Sequence, residues 1–403
     1  MIKTVKISNF KSVPELELEL GRLNVFIGEN GCGKTNILEG IAMGSAAAED
    51  KLDEEFLTTR GVRVVKPSLM ISAFSKSNDQ NVLIGFSTDK YSDINFSIHS
   101  ENGTTFKVVD NTTGVKAKKL VYVNHDSTET LALVDNLLLE IEKSYIKGKQ
   151  SEVPDDIRNK IAEIKANALS LIENTGFLVQ AVQSLYPFVL YAPENFFLRN
   201  FENEGQIRPL GIRGEGLFRH LVELSKEDPE TFKAIAEDLS FIDWFGGMSI
   251  PDNLQFTERR ISITDRFISD TIKDFDQRSA NEGFLYLLFY FTLFLSKYTP
   301  KFFAIDNIDN ALNPRLCTKL VEVLARLAKT QDKQAILTTH NPAILDGLDL
   351  NDDEQRLFVI YRDADGATTA RRVMPPKEIE GVEPVRLSEA FVRGYLGGLP
   401  NNF

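Results

Sequence analysis

The sequence holds only two cysteines, Cys32 and Cys317, so no disulfide framework can staple it. That usage suits a reducing compartment better than secretion. Its four histidines are scattered, and with the cysteines they leave no cluster at zinc-ligand spacing. Positive charge is in deficit. The 46 Lys and Arg against 58 Asp and Glu leave a net charge of −12, which excludes a basic chain that coats nucleic acid but not a local basic face. No long hydrophobic run is present. The most apolar stretch, residues 283–295 (GFLYLLFYFTLFL), is well short of the ~20 residues that span a bilayer, so it reads as a helix buried on all sides. The N-terminal MIKTVKISNFKSV alternates like a strand and is no apolar signal core. The expectation is a cytoplasmic protein without a membrane partner. A hydrophobic share of 42% and a charged share of 26% exclude a mainly disordered or collagen-like chain.

What is present is 403 residues, enough for two or three ordinary domains or one large α/β head with an insertion. Leu16, Leu18 and Leu20 alternate with Glu15, Glu17 and Glu19, a strand with one wet face. LNVFI at 23–27 is a short buried strand. Residues 68–123 are β-rich, with SLMISAF, NVLIGFS, INFSIHS and TTFKVV divided by polar turns and Asn102-Gly103 as a hairpin signal. From 127 to 185 the period becomes helical. Leu131, Val134, Leu138, Ile141 and Tyr145 are followed by Pro154, then Ile157, Ile161, Ile164, Ala168 and Leu171. Two antiparallel helices are the simplest account, either as a packed insertion or as a partner-binding hairpin. Beyond 186, FVLYAP, KFFAID, QAILTTH and RLFVIYRD read as strands. Helical stretches separate the last three, which argues for a largely parallel central sheet. Asp363-Ala364-Asp365-Gly366 reads as a hairpin turn.

Residues 28–35, GENGCGKT, satisfy G-x-x-x-x-G-K-[ST] between an apolar strand and a helix-forming segment. Gly28, Gly31 and Gly33 let backbone N–H groups curl around phosphate oxygens. The helix beginning near Lys34 directs its N-terminal dipole at the anion. Lys34 supplies charge to the β- and γ-phosphates, and Thr35 offers a hydroxyl to Mg²⁺. Glu29, Asn30, Cys32 and Asn36 complete the expected ATP-binding segment. The positive field of the loop is expected to favour a thiolate at Cys32, unless that position is merely variable. KFFAID ends a buried strand on Asp306, the Walker B pattern that delivers a carboxylate to the Mg²⁺ shell. Asn307 follows. An amide takes no proton near neutral pH, though it can orient a water. Asp309 is the nearby carboxylate that could substitute. QAILTTH places His340 just after another apolar strand.

Together these motifs resemble the ABC-type ATPase heads of the structural-maintenance-of-chromosomes, RecF and overcoming-lysogenization-defect group. ISNFKSV with LNVFIGENGCGKTNILE, IDNIDNALNP and TTHNPAIL carry the resemblance, over residues 1–44 and about 275–403. A narrower resemblance is to predicted ATPases of bacterial anti-phage systems, Septu-type included. The resemblance implies a P-loop NTPase head with a mostly parallel central sheet, an antiparallel β lobe and a helical insertion. Its parts would be 1–125, the N-terminal half of the head; 126–185, a helical hairpin; and 186–403, the C-terminal half. It further implies a homodimer, or a higher even oligomer, closed around ATP and Mg²⁺. RSANEG at 278–283 would be the signature reaching the partner's nucleotide, through Ser279 or Asn281 with Gly283. His340 would sense the γ-phosphate. Such heads carry glutamate where this chain has Asn307, so slow turnover is expected. The middle of the chain has no clean glutamine-loop pattern, although Glu194 or Asn195 could serve. Arg213-Gly214-Glu215-Gly216 reads as a turn and helix start or as a sensing loop.

Small basic groups occur at Lys116, Lys118 and Lys119, at Lys143, Lys147 and Lys149, at Arg259-Arg260 and at Arg371-Arg372. A dimer would align two of them into a DNA groove, or they are solvated faces. No second acidic cluster of nuclease type follows Asp306, so a separately encoded effector is the expected nuclease. Three readings stand: a slow ATPase that gates a partner, an ATP-dependent scaffold without useful hydrolysis, and a RecF-like DNA-repair head.

Overall fold

The computed structural model describes residues 1–49, 51–74, 81–89, 94–101, 105–111, 188–201, 208–251, 259–268, 274–375 and 385–398. The chain opens as an antiparallel hairpin of β1 (Ile2–Phe10) and β2 (Val13–Glu19), with Ile7 opposite Leu16. Leu16 and Leu18 are buried while Glu15, Glu17 and Glu19 are exposed, as a period of two dictates on a half-wet strand. β3 (Leu23–Ile27), buried throughout, leads through the glycine loop into α1 (Lys34–Ala48). Two short helices follow, α2 (Glu54–Thr59) and α3 (Pro67–Met70). The stretch SLMISAF thus departs from its strand-like reading. Pro67 suits the first helical turn, and only Ile71 makes a lone antiparallel bridge, to Phe10.

β4 (Val82–Thr88), β5 (Ile94–Glu101) and β6 (Thr105–Asn111) complete an antiparallel sheet in the order β2-β1-β4-β5-β6. Asn102 and Gly103 lie outside the described residues, but Glu101 pairs with Thr105 across them. The expected helical hairpin at 126–185 also lies outside the described residues.

The second half runs β7 (Val189–Tyr191), α4 (Asn195–Arg199), α5 (Leu217–Glu227) and α6 (Pro229–Leu239). It continues with β8 (Phe245–Ser249), β9 (Ser262–Asp265) and β10 (Phe275–Asp276), a small antiparallel sheet the residue pattern did not announce. Then come α7 (Glu282–Leu295), β11 (Phe302–Ile305), α8 (Pro314–Thr330), β12 (Gln334–Thr339), β13 (Gln355–Arg362), β14 (Thr368–Val373) and α9 (Leu387–Val392).

The central sheet has the order β14-β13-β3-β12-β11-β7. All its pairings are parallel except that of β13 with β14. Alternate residues therefore feed two cores. Phe26, Phe302, Ala304, Ile336 and Phe358 pack with α1 and the antiparallel lobe, while Val25, Ile27, Phe303, Ile305 and Leu337 pack with α7 and α8. Helix α1 lies close on the lobe because Gly44 leaves room: a Cβ there would sit 2.6 Å from Ile84. The run at 283–295 is buried at every position inside α7. Among the described residues no helix is long and apolar enough to cross a membrane. The fold is an α/β phosphate-loop head: a mostly parallel sheet with an antiparallel lobe.

Because β3, β11 and β12 are parallel neighbours, their C-terminal ends share one edge of the sheet. The loops after them, carrying residues 28–33, 306–309 and 340–341, therefore meet there.

Candidate functional site

The phosphate loop wraps between Ile27 and Lys34. Gly33, the residue before α1, adopts φ 108°, a left-handed conformation, and a Cβ on it would come within 2.0 Å of Thr368 Oγ1. Neither condition admits a side chain. Lys34 is buried, and its Nζ donates to Gly28 O at 2.8 Å and Glu29 O at 3.0 Å, and lies 3.4 Å from His340 Nδ1. Burial pulls the Lys34 ammonium below its ordinary range, opposed mainly by Cys32 and Asp306. Burial, followed by the Lys34 charge, also holds His340 below the usual imidazole value. Cys32 goes against the expected thiolate. Its Sγ lies 3.8 Å from Lys34 Nζ, yet desolvation outweighs that cation and raises the thiol.

Thr35 Oγ1 donates to Asp306 Oδ2 at 3.3 Å, and Thr338 Oγ1 donates to Asp306 Oδ1. Thr338 also accepts the Asn307 N–H at 2.9 Å, so one hydroxyl aligns both residues. Asn307 stands at φ 53°, a region that asparagine tolerates better than most residues. Asp309 accepts from Thr339 Oγ1 at 2.6 Å and is absent from the cleft lining.

Lys34, Thr35, Asp306, Asn307 and His340 converge on a cleft of about 370 Å³, with Asn30, Gly31, Gly33 and Asn36 on its walls. Arg63 and Arg362 also line it, and sequence reasoning missed both. No motif marks Arg63. It is held by the fully buried carboxylate of Glu39, whose Oε1 accepts from Arg63 Nε at 2.7 Å while Oε2 pairs with Lys11 at 2.6 Å. Thr338 was visible as the first threonine of the strand ending at His340, though its bond to Asp306 was not.

Ser279, Asn281 and Gly283 are not brought to this cleft within one chain. Asn281 and Gly283 line a separate groove of about 1100 Å³, with Trp244, Ala311 and Asn313. Ser279 is exposed, and Asn281 caps α7, accepting the Phe284 N–H at 2.8 Å. Asn195 donates to Glu282 at 2.6 Å, which links α4 to the start of α7. Arg213 pairs with Glu215 in the turn that opens α5 at Gly216. Three of the four paired arginines hold a partner in the fold: Arg259 donates to Phe201 O, Arg371 to Leu396 O, and Arg372 pairs with Asp353, while Arg260 is exposed. The lysine groups at 116–119 and 143–149 lie outside the described residues. Among the described residues no group of three His, Cys, Asp or Glu side chains is placed to hold a metal.

Comparison with known proteins places residues 23–346 within the family described as "AAA domain, putative AbiEii toxin, Type IV TA system". The uncharacterized protein MJECL10 of Methanocaldococcus jannaschii is 40% identical over 67 residues, 15% of this chain and 31% of that one. The DNA replication and repair protein RecF of Clostridioides difficile is 33% identical over 91 residues, 22% of this chain and 20% of that one. The chain thus spans less than a third of either relative's length. Among solved structures, the Smc head domain of Pyrococcus furiosus, bound to the C-terminal domain of ScpA, matches 93% of this chain and 96% of its own, at 15% identity and TM-score 0.45. The SMC head domain of Thermotoga maritima matches 93% and 99%, at 14% identity and TM-score 0.45. With the family model covering the phosphate loop, Asp306 and His340 in one alignment, the chain belongs to that AAA-domain family of P-loop ATPases.

Proposed function

We propose that this protein binds ATP with Mg²⁺ at the 370 Å³ cleft, hydrolyses it slowly, and closes as a dimer whose state gates a separate effector. The observation that carries the reading is the convergence of Lys34, Thr35, Asp306 and His340 on one polar cleft at the edge of a parallel sheet. The loop's backbone N–H groups would hold phosphate oxygens. Lys34 would exchange the carbonyls of Gly28 and Glu29 for them. The Thr35 hydroxyl and Asp306 carboxylate are hard oxygen donors 3.3 Å apart, a pair that suits Mg²⁺. When bound, the ion neutralises charge on the β- and γ-phosphates. Asn307 orients the attacking water through its amide without taking its proton. Arg63, aimed by Glu39, adds positive charge where the triphosphate develops negative charge.

Dimerisation accounts for the separation of Ser279, Asn281 and Gly283 from the cleft: they would serve a second copy's nucleotide. The toxin named in the family description supports a reading in which the dimer controls a damaging effector in anti-phage defence. Against the RecF-like repair reading, Arg259, Arg371 and Arg372 are each drawn to a partner within the fold. The scaffold reading rests on Asn307, and hydrolysis that is wholly absent, including in a single-turnover assay, would favour it. Equilibrium binding of ATP with Mg²⁺ tests the core claim. Wild-type protein should bind and Lys34→Ala should not; equal binding by both, or none by the wild type, would overturn it.

A further inference from the structure

The phosphate loop is held from outside as well as from within. Arg362, at the end of β13, donates from Nε at 3.1 Å and from Nη2 at 3.0 Å to the carbonyl of Gly31. Its Nη1 donates to Gly366 O at 2.6 Å in the β13–β14 turn, and its guanidinium faces the Phe74 ring at 5.6 Å. One residue along, the Cys32 carbonyl accepts from Thr368 Oγ1 at 2.8 Å. Thr368 Oγ1 lies 2.7 Å from Ser12 Oγ, which accepts from Asn36 Nδ2 at 2.7 Å. Consecutive carbonyls of the loop are thus turned onto the C-terminal hairpin. Bonds to a charged donor are the strong ones, and Arg362 places two on one oxygen.

We infer that Arg362 is a positioning residue for nucleotide binding, and that the β13–β14 hairpin is the brace through which it acts. A peptide plane has its C=O and N–H on opposite sides. Tying the carbonyls of residues 31 and 32 to the hairpin therefore turns the N–H groups of residues 32 and 33 the other way. A loop left free would pay for that ordering each time an anion bound. Gly31 itself offers no steric restraint, since a Cβ there would meet nothing within 4 Å, and the loop's own bond across it, from Cys32 N–H to Glu29 O, is long at 3.4 Å, so the stronger fixing at this tip comes from the two charged bonds of Arg362. Binding in the cleft and the geometry of the C-terminal hairpin are then coupled.

The inference rests on the phosphate reading only for its affinity arm, and two measurements keep them apart. Hydrogen exchange of the 29–34 amides in nucleotide-free protein should speed up in Arg362→Ala and be partly restored in Arg362→Lys, with the core amides of β3 and β12 left at their wild-type rates. ATP affinity should fall about tenfold or more in Arg362→Ala, be partly recovered by Lys, and fall to a lesser extent in Thr368→Val. Weaker ATP binding with unaltered exchange would overturn the inference, because Arg362 would then touch the nucleotide directly. Wild-type exchange and affinity in Arg362→Ala would overturn it as well. A wild-type protein that binds no ATP would instead sink the phosphate reading, while accelerated exchange in Arg362→Ala would still support the brace.

Discussion

Asn307 combines two constraints in one residue. Its backbone at φ 53° is held by the bond from its N–H to Thr338 Oγ1, and its side chain is an amide at the cleft. General-base catalysis contributes roughly 10²–10⁴-fold in rate. Asn307→Glu should therefore raise single-turnover hydrolysis by about tenfold or more, less than the full factor because glutamate bears the left-handed backbone less well, at a cost on the order of 1 kcal/mol. A rate that stays at the wild-type level would count against slow hydrolysis at this position. Lys333 shows a different balance. It is buried, and the three N–H groups of its Nζ share four oxygen acceptors, Ser296 O, Thr299 O, Thr299 Oγ1 and Pro300 O, yet burial brings it down to about 7. In the unfolded chain lysine keeps its proton up to about 10.4. Between those values the unfolded state binds the extra proton, so this group makes stability rise with pH. Urea unfolding at pH 7.5 and 9 should show the wild type gaining roughly 1–2 kcal/mol relative to Lys333→Met. A difference independent of pH would contradict the shift.

At the scale of elements, α7 is the keystone of the second core. Phe294 packs edge-on against Phe303 at 5.1 Å, and Phe289 against Tyr191 at 5.7 Å, so the helix reaches both β11 and β7. Phe294→Ala should destabilise the fold by about 3–5 kcal/mol, read as a shift in the denaturation midpoint. A loss under about 1 kcal/mol would mean that the site collapses readily. The apolar run made this helix legible as an element. It did not say that its first turn lies against Ala311, where a Cβ on Gly283 would come 3.0 Å from the carbonyl. The misreading of SLMISAF has a similar cause. β-Branched and apolar content over a few residues does not separate a short helix from a strand, and Pro67 was the better guide.

For the whole molecule, the proposed dimer makes a specific demand. Ser279 is exposed and lies away from the cleft of its own chain. Ser279→Arg should abolish ATP-dependent dimerisation in native mass measurement while leaving ATP binding within about twofold. A variant that dimerises normally would remove residues 278–283 from the interface. The groove beside them, about 1100 Å³ and flanked by Trp244 and Asn313, would then be independent of the nucleotide.

The sequence by itself determined the parts that are local. GENGCGKT after LNVFI requires a loop that shows its N–H groups at a helix start, and KFFAID requires a buried strand ending in a carboxylate. The two-residue period and short apolar runs laid out most strands of the two larger sheets, and one continuous apolar run gave α7. Only the tertiary structure decided which distant groups complete the site. Thr338 orients Asp306 because β11 and β12 are adjacent and parallel, Arg63 enters the cleft because buried Glu39 holds it, and Arg362 reaches Gly31 because β13 lies beside β3. The first and third depend on strand order, the second on a through-space contact between a helix and a loop, and no local period encodes either.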